Sequence, residues 1–352
     1  MRARIVDNPY SFRGPYPVHR VLPIFAEAGW DVDVVHNAPG ASARGLVRRA
    51  IEDGCEVVIG AGGDGTLRDI ATVLASTNVG LGVLPGGTAN VFAHDVGIPV
   101  VPERAARALV EGIPRRIDLG RIELPDGRWT RFLLTAGLGL DGSIMARTDP
   151  RLKRRTGPGA IGFAALGAIP GFRPRLAEIT VDGRVAWSGP ALQLLVSNTR
   201  LYANIIRPTP SALLDDGMLD VLVIPRSGWA SVGRVTGTFV RTGRPHATLT
   251  VAARGAEVVV RSWARIPIQL DGSPLGWKPS PGGAVRIDSN GRNALPNGRD
   301  APLPGRADRR DSESAEFRFR AEPAALLAWL PADVPDGFFR PVLADMTEAV
   351  ER

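Results

Sequence analysis

The sequence predicts two fold classes in series, an α/β part followed by an all-β part. Residues 1–115 form an N-terminal Rossmann-like α/β domain, 116–288 a C-terminal antiparallel β-sandwich domain, and 289–352 a linker and C-terminal extension, partly disordered. Three observations carry this. Up to Pro114, short apolar runs alternate with segments of helical spacing, the signature of parallel strands joined by right-handed crossovers. Beyond Pro114 the segments are short, β-rich and punctuated by turns. Ser289–Ser314 is rich in Arg, Asp, Gly, Asn and Pro and has little apolar content.

In order, Arg4–Asp7 reads as a strand, Val18–Ala28 as a helix ended by Gly29, and Trp30–His36 as a strand. Ala41–Asp53 is a helix stopped by Gly54, Glu56–Gly60 a strand, and Thr66–Ser76 a helix. Gly80–Leu84 is a strand, and Pro102–Glu111 closes the first part as a helix. In the second part the strands are Arg131–Ala136, Glu178–Val181, Leu192–Ser197, Leu219–Ile224, Glu257–Arg261 and Ile266–Leu270. Asp126-Gly127 and Asp182-Gly183 are hairpin turns, and one helix, Gly159–Ile169, interrupts the strands. Near the end Glu316–Arg320 alternates and Pro323–Leu330 reads as a short apolar helix. This tail either docks on the body or touches a membrane or partner.

A hydrophobic share of 44% with 22% charged residues excludes a disordered chain, and 352 residues exceed one ordinary core. The net charge of +7 is almost wholly arginine, because Lys153 and Lys278 are the only lysines. That is read either as coding bias or as a surface drawn to anionic lipid. No nucleic-acid-binding module appears. With Cys55 alone there is no internal disulfide, and a reducing cytosol fits; Cys55 reads as a small core residue. The N-terminus lacks a long apolar run, and no stretch of about 18 uncharged apolar residues occurs, so any membrane contact is peripheral. His19, His36, His94 and His246 have no metal-ligand spacing.

The strand Cys55–Gly60 runs into Gly62-Gly63-Asp64-Gly65-Thr66, after which Leu67, Ile70, Ala71 and Leu74 keep helical spacing. A strand, a glycine turn and a helix start aim backbone N–H groups at an anion, and glycine permits close approach of phosphate. Thr66 suits an N-cap or a hydroxyl contact to phosphate. A carboxylate in such a cradle needs a cation or a transferable proton beside it. Asp64 is therefore expected either to help hold Mg²⁺ or to accept the proton of an attacking hydroxyl. A second strand, Gly80–Leu84, leads into Pro85-Gly86-Gly87-Thr88-Ala89-Asn90 and helical Val91–His94. Both turns face the carboxyl edge of the sheet, where α/β folds bind ligands, so Thr88 and Asn90 are candidates for phosphate or ribose contacts. Neither turn is a Walker loop.

These residues resemble the diacylglycerol kinase catalytic domain family, which includes bacterial lipid kinases, sphingosine kinases and ceramide kinase. The resemblance covers about residues 4–288. Besides the two glycine turns it rests on Asp118-Leu119-Gly120, Phe132–Asp141, Leu152–Arg155 before Gly157, Asn198, Asp215–Asp220 and Gln269–Gly272. It implies an active site in the cleft between an α/β domain and a β-sandwich, with ATP and Mg²⁺ as cofactors. By position, Asn8, Pro9 and Ser11 match the family's first nucleotide-contacting turn. Asn37 joins the nucleotide set where the family commonly has Thr, and Gly62, Gly63, Asp64, Gly65, Thr66, Gly87 and Thr88 complete the phosphate contacts. Asp215, Asp216 and the Met218 backbone match the structural Mg²⁺ loop, and Asp271 matches an Asp-Gly-Glu element near the transferred phosphoryl group.

The departures are Ser11-Phe12-Arg13-Gly14 for Ser-Gly-Lys, Val91 for an Asp after Asn90, Ala203-Asn204-Ile205 for a glycine run, and Ser273 for the Glu. A neutral Ser is no base at pH 7, so Asp64 and Asp271 are the expected catalytic residues. The reading is γ-phosphoryl transfer from ATP to a lipid hydroxyl, with diacylglycerol as substrate and phosphatidic acid as product. The chain would sit in the cytoplasm at the inner membrane face, where Arg147, Arg151, Lys153, Arg154 and Arg155 contact anionic lipid; a homodimer is compatible with it. The alternatives are a small-molecule kinase like NAD kinase or phosphofructokinase, which share the Gly-Gly-Asp-Gly-Thr loop, or a nucleotide- or lipid-binding regulatory protein of weak activity.

Overall fold

A computed structural model describes residues 1–11, 15–39, 41–147, 172, 174–204, 206–225, 229–275, 314–335 and 337–340. The expected helix Gly159–Ile169, the basic positions Arg151–Arg155 and the residues Phe12–Gly14 lie outside these.

The N-terminal half is a parallel sheet in the order β4 (Gly80–Pro85), β3 (Val57–Gly62), β1 (Arg2–Asp7), β2 (Asp31–His36). The strands β3 and β4 are buried at every position. A strand covered on both faces has no polar alternation, which is why these two read as continuous apolar runs. Its crossovers are α1 (Val18–Glu27), α2 (Arg44–Glu52) and α3 (Asp64–Leu74); α4 (Val91–Asp95) and α5 (Pro102–Val110) follow β4. Their buried stripes, such as Leu67, Ile70, Ala71 and Leu74 of α3, meet Val58, Ile59 and Leu81 in one core that also holds Cys55.

The second half is antiparallel. Strands β5 (Ile113–Glu123) and β6 (Trp129–Phe132) form a hairpin. They are followed by β7 (Thr135–Gly139), α6 (Leu140–Arg147), β8 (Arg175–Val181), β9 (Arg184–Ser197) and β10 (Leu219–Pro225). Then come α7 (Trp229–Thr242), β11 (Val251–Gly255), β12 (Glu257–Ser262), β13 (Ile268–Leu270) and the short β14 (Ser273–Pro274). Asp182 and Gly183 both have positive φ, the backbone of a type I′ turn, and they join β8 to β9 as the sequence predicts. The inward residues of these strands, among them Phe132, Leu194, Val221, Val258, Phe317 and Phe319, make a second core. Helix α7 covers the other face of β9 and β10 through Val235 and Phe239.

Two expectations are corrected, and helices α6 and α7 are additions to the elements expected from the sequence. Arg131–Ala136 is not one strand, because Leu133 and Leu134 break it into β6 and β7. Pro323–Leu330 is not a helix: Ala315–Leu330 is a single long strand, β15. Phe317, Phe319, Leu326, Ala328 and Leu330 alternate inward along it, so partners override the helical preference of its Ala and Leu residues. β15 runs antiparallel to β5 along both halves, pairs β12 through its first residues, and touches β4 at Ala328. It shifts register between Glu322 and Leu326, where Ala324 has a φ of 50°. Asp118 pins this kink by accepting the Ala324 N–H at 2.7 Å and the Gly217 N–H at 2.6 Å.

Candidate active site

The two glycine turns lie against each other at the carboxyl edge of the parallel sheet. β3 ends at Gly62 and α3 begins at Asp64, with Gly63 rather than Thr66 as its N-cap. No side chain caps this end, the arrangement that offers first-turn N–H groups to an anion. The Gly86 N–H donates to the Gly62 carbonyl at 2.9 Å, carrying the β3–β4 ladder into the turns. A Cβ on Gly63 would meet the Gly87 Cα at 3.2 Å, and one on Gly87 would press still closer on Gly63. Both positions therefore require glycine.

Asp64 holds the two turns together. Its carboxylate accepts the N–H groups of Val91 and Phe92, both at 3.1 Å, and so caps α4 from the neighbouring loop. Burial pushes its pKa up to about 6; the two N–H bonds oppose that shift and nearby Asp271 adds to it. The Asn8 amide donates to the Thr66 hydroxyl at 3.0 Å, and the Asn8–Ser11 turn, closed by the Ser11 N–H on the Asn8 carbonyl, sits at the end of β1. Asn37 ends β2, its amide donating to the Ala41 carbonyl. Asn8, Pro9, Ser11, Asn37, Gly62, Gly63, Gly65, Thr66, Gly87 and Thr88 thus lie along one sheet edge.

Asn90 does not fit the contact role expected of it. It is buried with a φ of 50°, and its amide accepts the Gly87 N–H at 2.7 Å while donating to the Gly87 carbonyl at 3.1 Å. Both ends of the side chain are spent on shaping the turn.

The antiparallel half meets this edge through the turn after β13. Arg68 of α3 donates to the Leu270 carbonyl at 2.7 Å. Ser273 faces the glycine loop, its hydroxyl 3.5 Å from where a Gly65 Cβ would stand. Asp271, buried and with a φ of 49°, accepts the N–H groups of Leu133, Leu134 and Thr135 at 2.9, 2.9 and 3.0 Å. Its pKa is raised by burial, against the pull of Arg68 and the three N–H groups. Three of its acceptor positions fix the β6–β7 break, and Oδ2, which takes one N–H, keeps one lone pair.

One cluster beside the cleft has no role in the sequence reading. Asp141 is buried and accepts the Tyr202 hydroxyl at 2.8 Å and the Gln269 amide at 3.1 Å, while Gln193 accepts the Asp141 N–H. Burial raises the pKa of Asp141. Asn204, two residues past Tyr202, donates to the Ala89 carbonyl of the second glycine turn. The signal for this cluster lay in the Phe132–Asp141 motif, where Gly137 leaves room for the Asp141 carboxylate.

In the implied Mg²⁺ loop the carboxylates have protein partners. Asp215 accepts the Arg340 N–H, and Asp216 accepts the Met218 N–H. The Arg254 guanidinium pairs with Asp216 and, at 3.3 Å, with Asp220. Arg254 thus serves Asp216 and Asp220, while Asp215 has only the backbone N–H of Arg340. Among the described residues no three His, Cys, Asp or Glu side chains gather at one point. Met218 enters this loop through its backbone, its N–H donating to Asp216 at 2.9 Å.

Fold and site together define a two-part kinase, with an anion cradle on a parallel sheet closed by a turn from an antiparallel one. The comparisons agree. The diacylglycerol kinase catalytic domain model matches residues 2–122, and the model of the YegS C-terminal NAD kinase beta sandwich-like domain matches residues 135–287. A "Probable lipid kinase YegS-like" of Pseudomonas syringae pv. syringae is 31% identical over 312 residues, 87% of this chain and 86% of that one. A diacylglycerol kinase of Bacillus subtilis is 29% identical over 283 residues, 79% of this chain and 91% of that one. The solved structure of a Bacillus anthracis diacylglycerol kinase aligns with a TM-score of 0.63 at 17% identity, over 95% of this chain and 97% of that one. An Archaeoglobus fulgidus NAD kinase aligns at 0.50 with 14% identity, over 95% of each chain, a likeness of fold. The chain belongs to the diacylglycerol kinase catalytic domain family.

Proposed function

We infer that this kinase transfers the γ-phosphoryl group of ATP to the hydroxyl of a lipid, with diacylglycerol as substrate and phosphatidic acid as product. The observation that carries the reading is the interlocked pair of glycine turns, joined by Asp64 and faced by Ser273. The curated relatives named as lipid and diacylglycerol kinases support the substrate class. ATP would lay its phosphates on the α3 N-terminus and the Gly86–Thr88 turn, with Asn8 and Thr66 beside them and Mg²⁺ arriving with the nucleotide. Asp64 is the proton acceptor. Each of its oxygens takes one N–H and keeps one lone pair, and a pKa of about 6 leaves it ionised at neutral pH yet basic enough to take a hydroxyl proton. Asp271 positions the turn that presents Ser273.

The lipid would come from a bilayer touched peripherally; no helix among the described residues is long and apolar enough to cross a membrane. The test is phosphorylation of diacylglycerol in mixed micelles, with ceramide, sphingosine and NAD as parallel acceptors. Asp64→Asn should lower turnover by roughly 10²–10⁴-fold. Unchanged turnover in that variant removes the role of Asp64, and phosphorylation of NAD alone removes the lipid reading.

A further inference from the structure

The far end of α3 carries a second basic cavity. It has a volume of about 400 Å³, inside the range of ~300–1,000 Å³ usual for small-molecule sites, and is lined by Arg44, Arg48, Thr72, Trp129, Thr130 and Arg131 among others. No carboxylate lines it. Two carboxylates outside the lining pair with its arginines: Asp69 is 3.5 Å from the Arg44 Nε, and Glu322 pairs with Arg131.

The three guanidiniums differ in how far they are spent. Arg131 is fixed by Glu322 and by the Thr72 carbonyl. Arg44 is held only loosely, at 3.5 Å from Asp69 and 3.4 Å from the Thr130 hydroxyl. Arg48 is exposed and has no hydrogen bond or ion pair among the described residues. The Trp129 ring is 47% exposed, with Arg121 and Arg131 stacked on it at 4.2 and 5.0 Å. One fixed guanidinium, one loosely held and one unpaired, beside an aromatic face, match a phosphate group, whose oxygens take the planar guanidinium fork in pairs.

We propose that this cavity is a second anion site, separate from the nucleotide cradle, which takes a phosphate ester borne either by a soluble metabolite-sized molecule or by a lipid headgroup. It lies about 12 Å along α3 from Asp64, the rise of eight residues from Asp64 to Thr72. Both of its walls lead to the cleft. α3 carries Asp64 and Arg68 at its other end, and β6 runs from Trp129 into the Leu133–Thr135 N–H groups that hold Asp271. An occupant bridging Arg48 on α2 with the α3–β6 wall would hold the two halves in one relative position.

The experiment is equilibrium binding to the full chain with the cradle saturated by ATP, using three probes: inorganic phosphate, sn-glycerol 3-phosphate, and vesicles of phosphatidylcholine with or without phosphatidic acid. Binding of a soluble probe identifies a free phosphate ester as the source, and binding of phosphatidic acid vesicles alone identifies a headgroup. In either case Arg48→Glu should weaken binding at least tenfold and Arg48→Ala by less, with melting midpoints unchanged because Arg48 is exposed. The proposal is overturned by absence of binding with all three probes, or by equal binding in wild type and Arg48→Glu. The readout is independent of lipid phosphorylation, so it stands or falls apart from the kinase substrate.

Discussion

Replacing Gly87 with alanine should unseat the phosphate cradle. The added methyl would stand 2.9 Å from the Asn90 Oδ1 and 3.0 Å from the Gly63 nitrogen, closer still to the Gly63 Cα. Comfortable carbon contacts lie at about 3.5–4.0 Å, so the turns must part by roughly 1 Å. None of the three obstacles is the far end of a flexible side chain, since Asn90 is clamped at both amide atoms. Overpacking of this kind costs about 1–3 kcal/mol. Parting the turns also strains the Gly86 N–H bond to Gly62 and the Gly87 N–H bond to Asn90, each worth ~1 kcal/mol net. The sum, about 3–5 kcal/mol, is readable as a lower urea midpoint at unchanged slope. The second readout is the rise in melting temperature on adding ATP, which should vanish. A variant with wild-type midpoint and ATP response refutes the interlocked cradle; a destabilised variant that keeps its ATP response refutes the claim that loop spacing holds the phosphates.

Asp95 accepts the Arg200 and Leu201 N–H groups through one oxygen, and burial lifts its pKa to about 6. A raised carboxyl pKa gives stability that is full below about 3.8 and lost as pH rises through about 6. Asp95→Asn keeps an acceptor oxygen but no longer titrates, so its stability relative to wild type should improve between pH 4 and pH 7.5; a difference independent of pH counts against the burial argument. EDTA should leave the melting midpoint of the wild type unchanged, because Arg254 already serves Asp216 and Asp220; a fall on chelation would mean that a metal shares the loop. Asp118→Ala leaves the Gly217 and Ala324 N–H groups without their acceptor and should cost about 2–4 kcal/mol, with faster amide exchange at both residues. Exchange at wild-type rates there would show that the kink holds itself.

The parallel half was legible because each of its elements carries its own signal. Fully buried strands gave unbroken apolar runs, helices gave their period, and Gly29 and Gly54, both with positive φ, closed two of them. The glycine turns were legible for the same local reason. What escaped the sequence depends on distant partners. Pro323–Leu330 has the composition of a helix, and nothing within it announces pairing with β5 some 200 residues earlier. Asn90 looked like a ligand contact because its left-handed backbone and its bonds to Gly87 are invisible in the chain order. That Asp271 also fixes the β6–β7 break had no local sign, because its three N–H partners come from another strand. Arg254 lies far from Asp216 in sequence, so its pairing there had no local signature.

The strand β15 also sets a timetable. Its partners on β5 and β4 are made long before it, and both cores contain its side chains, Phe317 and Phe319 in one and Leu326 to Leu330 in the other. On a ribosome adding ~5–20 residues per second, the sheet edge at β4 waits on the order of 12–50 seconds for residues 315–330 to emerge. During that interval an apolar parallel sheet has an unfilled edge, the exposure that invites mispairing. The N-terminal part is synthesised first, and its core is filled only when β15 arrives.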